Sequence, residues 1–191
     1  MQFLNKNYGW IIVAALALLP LIPLDNMAME NSKENIEMLY HISGEFAIRW
    51  MTAVLTLTPI FILFGVTNLF VRQAMGIATA IWSILHFAIF IAAEGFSETF
   101  TQVNYVLGFV AVLILIPLLF TSNRKAMKRL KSSWKKLQSM AYVAIILSLL
   151  HVAILEKTWI IYAVVVGLGF IVRIPTVKAT ILSYRLKNKN S

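Results

Sequence analysis

The chain has 191 residues, of which 60% are hydrophobic and 13% charged, with a mean hydropathy of +0.79 and a formal net charge of +9. A soluble domain of this size could not bury so much apolar surface, and apolar runs of about 18 or more residues recur along the chain, as they do in multi-span membrane proteins. The absence of cysteine excludes disulfides, thiolate metal sites and cysteine-ligated iron–sulfur clusters.

Six apolar spans are predicted. The first, residues 8–24, ends where Pro20 and Pro23 disfavour a continuing helix. It is expected to be a retained helix rather than a cleaved signal peptide, because its apolar part is long for a signal sequence. The polar segment 25–45 is expected to be an exposed loop that could include a short helix. The other spans are predicted at residues 46–66, 76–93, 105–121, 139–155 and 158–172, and a basic tail follows.

Charge distribution predicts the topology. If successive spans alternate in direction, Lys6, Arg72, the basic segment 122–138 and the tail share one side of the membrane, and all eight acidic residues share the other. Basic loops stay in the cytoplasm, so the predicted fold class is an all-α membrane protein, a six-transmembrane helix bundle in a single domain with both termini cytoplasmic. The seven basic residues of segment 122–138 indicate orientation and contact with the lipid bilayer, with docking of a flavin or a reductase as the alternative. No nucleic-acid partner is expected.

Two of the three histidines interrupt apolar spans, His86 in the third and His151 in the fifth. An ionisable ring inside a bilayer is costly unless it is paired or bound, which makes both positions candidate functional sites. Both spans run outward in the predicted topology and place the rings roughly 8 to 12 Å from the outer helix ends, at nearly the same depth. His41, before the second span, is expected on the same outer side. The alternative that each ring only forms a hydrogen bond with a neighbouring helix stays open.

Two neutral imidazoles facing each other across an apolar bundle suit bis-histidine ligation of a b-type haem, which favours electron transfer over oxygen binding. His86 and His151 are therefore the candidate iron ligands, whereas zinc or copper would normally recruit a third ligand. His41 and Arg49 lie at a depth suited to contacts with haem propionates, and Arg72 lies on the inner side. The chain has no nucleophile elbow and no dinucleotide-binding fingerprint. No catalytic residue is predicted, and electrons must come from another protein, a bound flavin such as FMN, or a quinol.

Several short motifs resemble the ferric-reductase-like transmembrane family. They are His41-Ile42-Ser43-Gly44, Ala47-Ile48-Arg49-Trp50, Leu57-Thr58-Pro59, Arg72-Gln73-Ala74-Met75-Gly76 and Leu85-His86, followed by Phe120-Thr121-Ser122, Trp134-Lys135-Lys136-Leu137-Gln138, Tyr142 and Leu150-His151. The resemblance covers about residues 38–175. It is closest to the branch formed by the haem-bearing membrane subunits of periplasmic methionine sulfoxide reductases.

The resemblance implies a multi-pass electron carrier of the bacterial inner membrane, an electron-transfer subunit of an oxidoreductase rather than a complete enzyme. Electrons would pass from a cytoplasmic flavin reductase or a quinol, via flavin and haem b, to a periplasmic molybdopterin reductase. The haem-ligand positions of the family correspond to His86 and His151. Two alternatives remain: a stand-alone quinol-linked or metal-reducing cytochrome with another partner, and a non-redox membrane bundle without haem.

One departure from the family pattern concerns the number of haems. The motif that ends here in Leu137-Gln138 usually ends in Leu-His. Position 138 lies thirteen residues before His151, about 20 Å along a helix, and therefore near the cytoplasmic face. With Gln138 at this position and Arg72-Gln73 at the equivalent depth before the third span, no inner histidine remains, so one haem, on the outer side, is expected.

Overall fold

The computed structural model describes residues 2–30, 32–65, 69–155 and 158–189. Within these ranges the chain folds into helices and contains no β-strand. The α-helices are α1 (Gln2–Leu18), α2 (Leu21–Glu30), α3 (Lys33–Phe64), α4 (Leu69–Glu94), α5 (Val103–Thr121), α6 (Arg124–Leu130), α7 (Ser132–Ser139), α8 (Ala141–Leu155), α9 (Trp159–Arg173) and α10 (Pro175–Lys189), and a short 3₁₀ helix, Phe96–Phe100, connects α4 to α5. Residue 66, the predicted end of the second span, and Glu156 lie outside the described residues.

Among the described residues, five segments are long and apolar enough to cross a membrane, namely Tyr8–Met29, Glu34–Phe64, Phe70–Glu94, Val103–Thr121 and Ser132–Leu155. A sixth span is counted when α9 and α10 are taken together, although they are bent by 74° at their junction. The bend follows from Pro175, because the residue before a proline avoids the helical region, and Ile174 is extended with φ −56° and ψ 130°. The predicted all-α, multi-pass membrane fold is confirmed.

The polar segment 25–45 is helical, which corrects the prediction of an exposed loop. α2 continues to Glu30, and α3 begins at Lys33, with the Ser32 side chain accepting a hydrogen bond from the backbone N–H of Asn35 at 3.2 Å. Such an N-cap stabilises a helix start. The sequence does not show a clear amphipathic pattern here, because only every fourth residue is buried, at Leu39, Ser43 and Ala47.

The early start makes α3 32 residues long, or about 48 Å at 1.5 Å per residue. The hydrocarbon layer of a bilayer is about 30 Å thick. The first turns of α3 therefore extend beyond the apolar part of the helix and form a wall beside the outer ends of its neighbours. This wall includes the motif residues His41, Ser43 and Gly44.

The helices share one central core below this wall. α3 packs against α4 and α9, and α5 packs against α8. The core combines large and very small side chains, and Ala144 and Ile145 of α8 are completely buried. Its members are Ile48, Met51, Leu55, Ala80, Leu115, Leu118, Ala144, Ile145 and Val166. Five helices are thereby packed together about two turns from the candidate histidines.

α9 packs against α3 near Pro59. A proline has no N–H, so the carbonyl four residues earlier, that of Leu55, loses its helical partner. The guanidinium of Arg173 at the end of α9 donates a hydrogen bond to this carbonyl. The two helices approach closely here, because a Cβ atom at Gly169 would lie 3.3 Å from Cγ of Pro59.

α1 packs against α4, and a carbonyl group in the last turn of α1 accepts a hydrogen bond from α4. Carbonyls in the last turn of a helix lack intrahelical donors, and the indole N–H of Trp82 donates to the Ala17 oxygen at 3.1 Å. Trp82 is 2% exposed and stacks on Phe46 of α3 with ring centroids 4.9 Å apart. Trp82 of α4 thus contacts both α1 and α3.

Candidate haem site

The structure brings His86 of α4 and His151 of α8 together. Their ring centroids are 6.4 Å apart and their planes are inclined by 65°. Both rings line a cavity of about 450 Å³ between α3, α4, α5, α8 and the start of α9, a volume within the usual range of cofactor pockets. The two histidines that the sequence singled out therefore share one cavity.

The His86 ring is oriented by α3. Its Nδ1 atom lies 3.2 Å from the Ser43 hydroxyl oxygen, and the Ser43 hydroxyl donates its only hydrogen to the carbonyl oxygen of Tyr40 at 3.0 Å. In the tautomer of His86 that carries its hydrogen on Nδ1, the Ser43 oxygen accepts this hydrogen bond. In this tautomer the Nε2 atom of His86 carries a free lone pair.

The His151 ring is oriented by α5 in a similar way. Its Nδ1 atom lies 2.6 Å from the backbone carbonyl oxygen of Asn104. A carbonyl oxygen can only accept, so Nδ1 is protonated and donates, and Nε2 again carries the lone pair. An apolar setting favours the neutral form of each ring, and with Nδ1 as the donor this form leaves Nε2 available to a metal ion.

Each ring lies against a glycine on the helix that orients it. A Cβ atom at Gly44 would be 3.0 Å from Cε1 of His86, and one at Gly108 would be 3.2 Å from Nδ1 of His151. Gly44 follows Tyr40 by four residues and Gly108 follows Asn104 by four, so each glycine lies one helical turn after the carbonyl on that side of the site. The missing side chains leave room for the rings beside these carbonyls.

The sequence reasoning did not identify these supporting residues as part of the site. Ser43 and Gly44 belong to a motif that resembles the family, but the motif does not indicate a contact with His86. No role was predicted for Asn104 or Gly108. A signal was present, because glycine destabilises a helix interior and usually has a packing reason there. Which ring would pack on each glycine could not be inferred from spacing.

The cavity has an apolar interior and a polar mouth. Apolar side chains from four helices form most of its wall, and hydroxyl groups of Ser83 and Ser148 lie one turn before the two histidines. The mouth lies where α4 and α8 end and α9 begins, and carboxylates of Glu37, Glu45 and Glu94 line it. Further apolar lining residues are Ala47, Ile48, Met51, Phe87, Phe90, Phe109, Ala111, Val112, Leu115, Val152 and Leu155.

His41 and Arg49 are related to the cavity in different ways. His41 lines the cavity and its side chain is exposed. Arg49 forms an ion pair with Glu45 and donates from Nε to the Tyr162 hydroxyl at 3.5 Å, and both of these partners line the cavity. The structure thus places Arg49 beside the cavity, through Glu45 and Tyr162, rather than against the histidine rings.

At the opposite end of α5, glutamines take structural roles. The Gln138 amide donates to the Leu118 carbonyl at 3.3 Å and to the Thr121 hydroxyl at 3.1 Å. The Gln73 amide donates to the Ser122 carbonyl at 2.5 Å. These bonds satisfy carbonyl groups at the end of α5 that have no helical donor. Position 138 is therefore part of a helix-capping cluster.

No group of three or more histidine, cysteine, aspartate or glutamate side chains arranged to hold a metal ion is found in residues 2–30, 32–65, 69–155 and 158–189. A zinc site in a protein generally uses three or four such ligands. A pair of imidazoles suits a metal ion whose remaining ligands come from a macrocycle.

Comparison with known proteins gives a consistent match. The family described as "Ferric reductase like transmembrane component" matches residues 12–149. The "Protein-methionine-sulfoxide reductase heme-binding subunit MsrQ" of Brucella ovis is 29% identical over 138 residues, which cover 66% of this chain and 63% of the relative. The protein of the same name from Agrobacterium fabrum is 29% identical over 143 residues, covering 68% of this chain and 66% of the relative.

The chain thus matches less than two thirds of the length of these relatives. No solved structure matches it.

Proposed function

Because this chain belongs to the ferric reductase like transmembrane component family, we propose that it is a haem-binding membrane subunit that carries electrons to a methionine sulfoxide reductase. His86 and His151 would hold one b-type haem. The observation that carries this proposal is the pairing of two imidazoles across one cavity, each with its Nδ1 atom in a hydrogen bond to a neighbouring helix.

The spacing of the rings supports a shared iron. Metal–nitrogen bonds of about 2 Å, with about 1 Å more from each nitrogen to its ring centre, place two opposed imidazole centroids about 6 Å apart. The observed separation is 6.4 Å. Metal-bound histidines also commonly donate their second ring nitrogen to a carbonyl or another acceptor, as both Nδ1 atoms do here.

When bound, haem supplies a one-electron ferric/ferrous couple, and ligation by two histidines leaves no open position for oxygen. The residues of this chain orient the two imidazole rings and exclude water from them. Ser43 and the Asn104 carbonyl fix the orientation of the two rings. The apolar wall keeps water away from them, and a dry, rigid site limits the rearrangement that accompanies a change of charge.

Two basic side chains beside the cavity, His41 and Arg49, are available for contacts with the acidic edge of the cofactor. Haem carries two propionates, which favour cations near the membrane surface, and we assign this role to His41 and Arg49. Glu45 and Tyr162 hold the Arg49 side chain beside the mouth. His41 lines the cavity directly.

The orientation and the redox partners complete the proposal. The protein lies in the bacterial inner membrane with both termini cytoplasmic, so the haem is near the periplasmic face. A cytoplasmic flavin reductase or a quinol donates electrons, with FMN or quinone as the intermediate carrier, and the acceptor is a periplasmic molybdopterin reductase. The capping role of Gln138 supports a single haem, because a side chain that caps α5 replaces the family's inner histidine.

Haem content tests the assignment. The purified chain is expected to contain one haem by pyridine haemochrome, with a low-spin spectrum that His86→Ala and His151→Ala each abolish. His41→Ala removes a proposed propionate contact but no iron ligand, so the haem that this variant binds is expected to keep its low-spin spectrum. An unchanged low-spin spectrum in both His86→Ala and His151→Ala would exclude the ligand pair.

Electron transfer tests the coupling. Reconstituted protein is supplied in turn with a flavin reductase and with reduced quinone, and then with a periplasmic methionine sulfoxide reductase. Reduction of the haem followed by turnover of methionine sulfoxide is expected with at least one donor. Failure with every donor while the haem is present would remove the link to methionine sulfoxide repair but not the haem assignment.

A further inference from the structure

Aromatic rings connect the cavity wall to the surface of the bundle. Phe87 and Phe109 both line the cavity, and their ring centroids are 5.3 Å apart. Phe109 in turn contacts Phe96 and Phe100 of the 3₁₀ helix, at 6.1 Å and 5.8 Å. A continuous set of four rings therefore leads from the cavity to the connection between α4 and α5.

The outer two rings of this set are presented to the surroundings. Phe96 is 53% exposed and Phe100 57%, and the two rings contact each other edge to face at 5.5 Å. We call these two rings the phenylalanine patch. The patch lies between the spans Phe70–Glu94 and Val103–Thr121 and outside both of them, and aromatic side chains are enriched at protein interfaces.

The patch is held on a defined turn. Gly95 begins the connection with φ 92°, a left-handed conformation that glycine adopts without strain. The hydroxyl of Thr101 donates to both the backbone carbonyl and the carboxylate of Glu98, at 2.8 Å and 3.1 Å. A surface that is already ordered loses little conformational entropy when a partner binds.

Acidic residues near the phenylalanine patch indicate which kind of partner could bind there. Glu94 directly precedes the connection and Glu98 lies between the two phenylalanines, while Glu37 lines the same mouth of the cavity. All three carboxylates are at the end of the bundle where α4 ends and α5 begins. A partner that covers the patch therefore needs an apolar contact surface with basic residues around it, since complementary charge steers association.

We propose that the phenylalanine patch is the docking surface for the electron acceptor, a soluble redox protein with an apolar contact surface ringed by basic residues. The proposal rests on the electron-transfer function proposed above. One electron leaves the ferrous haem and reduces one oxidised centre of the acceptor, while the four rings stay neutral and keep the intervening path packed. Docking here brings the acceptor to the point where the cavity wall reaches the surface.

Ferricytochrome c, a basic one-electron acceptor, is a suitable probe. The haem-loaded full chain in phosphatidylcholine nanodiscs is reduced and mixed with it anaerobically in a stopped-flow instrument. Phe96→Ser/Phe100→Ser is expected to lower the second-order rate constant by about tenfold, the usual cost of truncating an interface anchor. Glu94→Gln/Glu98→Gln is expected to weaken its dependence on salt.

Two controls separate docking from general damage. Phe120→Ser changes a phenylalanine that is 74% exposed at the other end of α5, and the rate is expected to stay unchanged. Ferricyanide, a small anion that needs no apolar docking surface, is expected to oxidise the serine variant as fast as the unaltered chain. Phe96→Leu/Phe100→Leu keeps apolar side chains at both positions if the serine variant folds poorly, and an intermediate rate is expected.

Equal rates with ferricytochrome c at equal haem content, in the unaltered chain and in both patch variants, would overturn the docking proposal and leave the proposed function intact. If the chain binds no haem, the proposed function fails. The patch is then judged by direct binding of ferricytochrome c to the nanodiscs, which has to weaken in Phe96→Ser/Phe100→Ser but not in Phe120→Ser. Unchanged binding would overturn the proposal in that case.

Discussion

The imidazole of His151 lies directly against Gly108, where a Cβ atom would stand 3.2 Å from its Nδ1 atom. Gly108 is one helical turn after Asn104, whose carbonyl accepts the Nδ1 hydrogen bond. Glycine at this position therefore opens the path between the ring and its acceptor. Gly44 likewise lies against the His86 ring, where a Cβ atom would stand 3.0 Å from Cε1, so both candidate ligands pack on a neighbouring glycine.

Gly108→Ala is expected to displace the His151 ring and to lower haem affinity by about tenfold, the lower range for disturbing groups that orient a metal ligand. The measurement is haem occupancy by pyridine haemochrome during titration with haem. Gly167→Ala is the control, because a Cβ atom at Gly167 meets nothing within 4 Å and alanine favours a helix. Equal occupancy in both variants would show that the glycine contact is not needed.

Ser43→Ala removes the acceptor of the His86 Nδ1–H bond. Loss of this bond makes the imidazole a weaker electron donor, so the ferric state is less stabilised and the reduction potential is expected to rise. Potentiometric titration measures the change. Ser183→Ala is a matched control, since Ser183 donates to the Thr180 carbonyl three residues earlier, as Ser43 does to Tyr40, but far from the histidines. A potential equal to that of Ser183→Ala would contradict the assigned hydrogen bond.

Arg173→Ala is expected to lower the free energy of unfolding by about 1–3 kcal/mol, because the Leu55 carbonyl opposite Pro59 loses its donor. Thermal unfolding in detergent measures it. Pro59→Ala restores a backbone N–H to α3, so the cost of Arg173→Ala is expected to shrink in that background. An equal cost in both backgrounds would mean that Arg173 acts through something other than this carbonyl.

Gln138→His restores the family residue at the inner end of α7, yet the haem count is expected to stay at one per chain. A single histidine offers one axial ligand, and neighbouring Gln73 is engaged with Ser122. Pyridine haemochrome per chain gives the count for this variant beside Gln138→Ala. A second low-spin haem in Gln138→His would show that this end of the bundle already holds a haem pocket.

Much of the architecture could be predicted from composition, because lipid demands long apolar helices and tolerates few charges. The prediction was wrong at residues 25–45, where α2 ends and α3 begins. There, overall polarity concealed a narrow buried stripe at Leu39, Ser43 and Ala47. Composition averages over a helix, whereas burial depends on which side faces a neighbour.

The sequence by itself determined that this is a membrane helix bundle. It also marked His86 and His151 as candidate functional residues, since an unpaired imidazole is costly in lipid. Only the tertiary structure decided what surrounds them. Ser43 and His86 are 43 residues apart, and Asn104 and His151 are 47 apart. Such contacts depend on how helices pack side by side, which the spacing of residues along one chain does not specify.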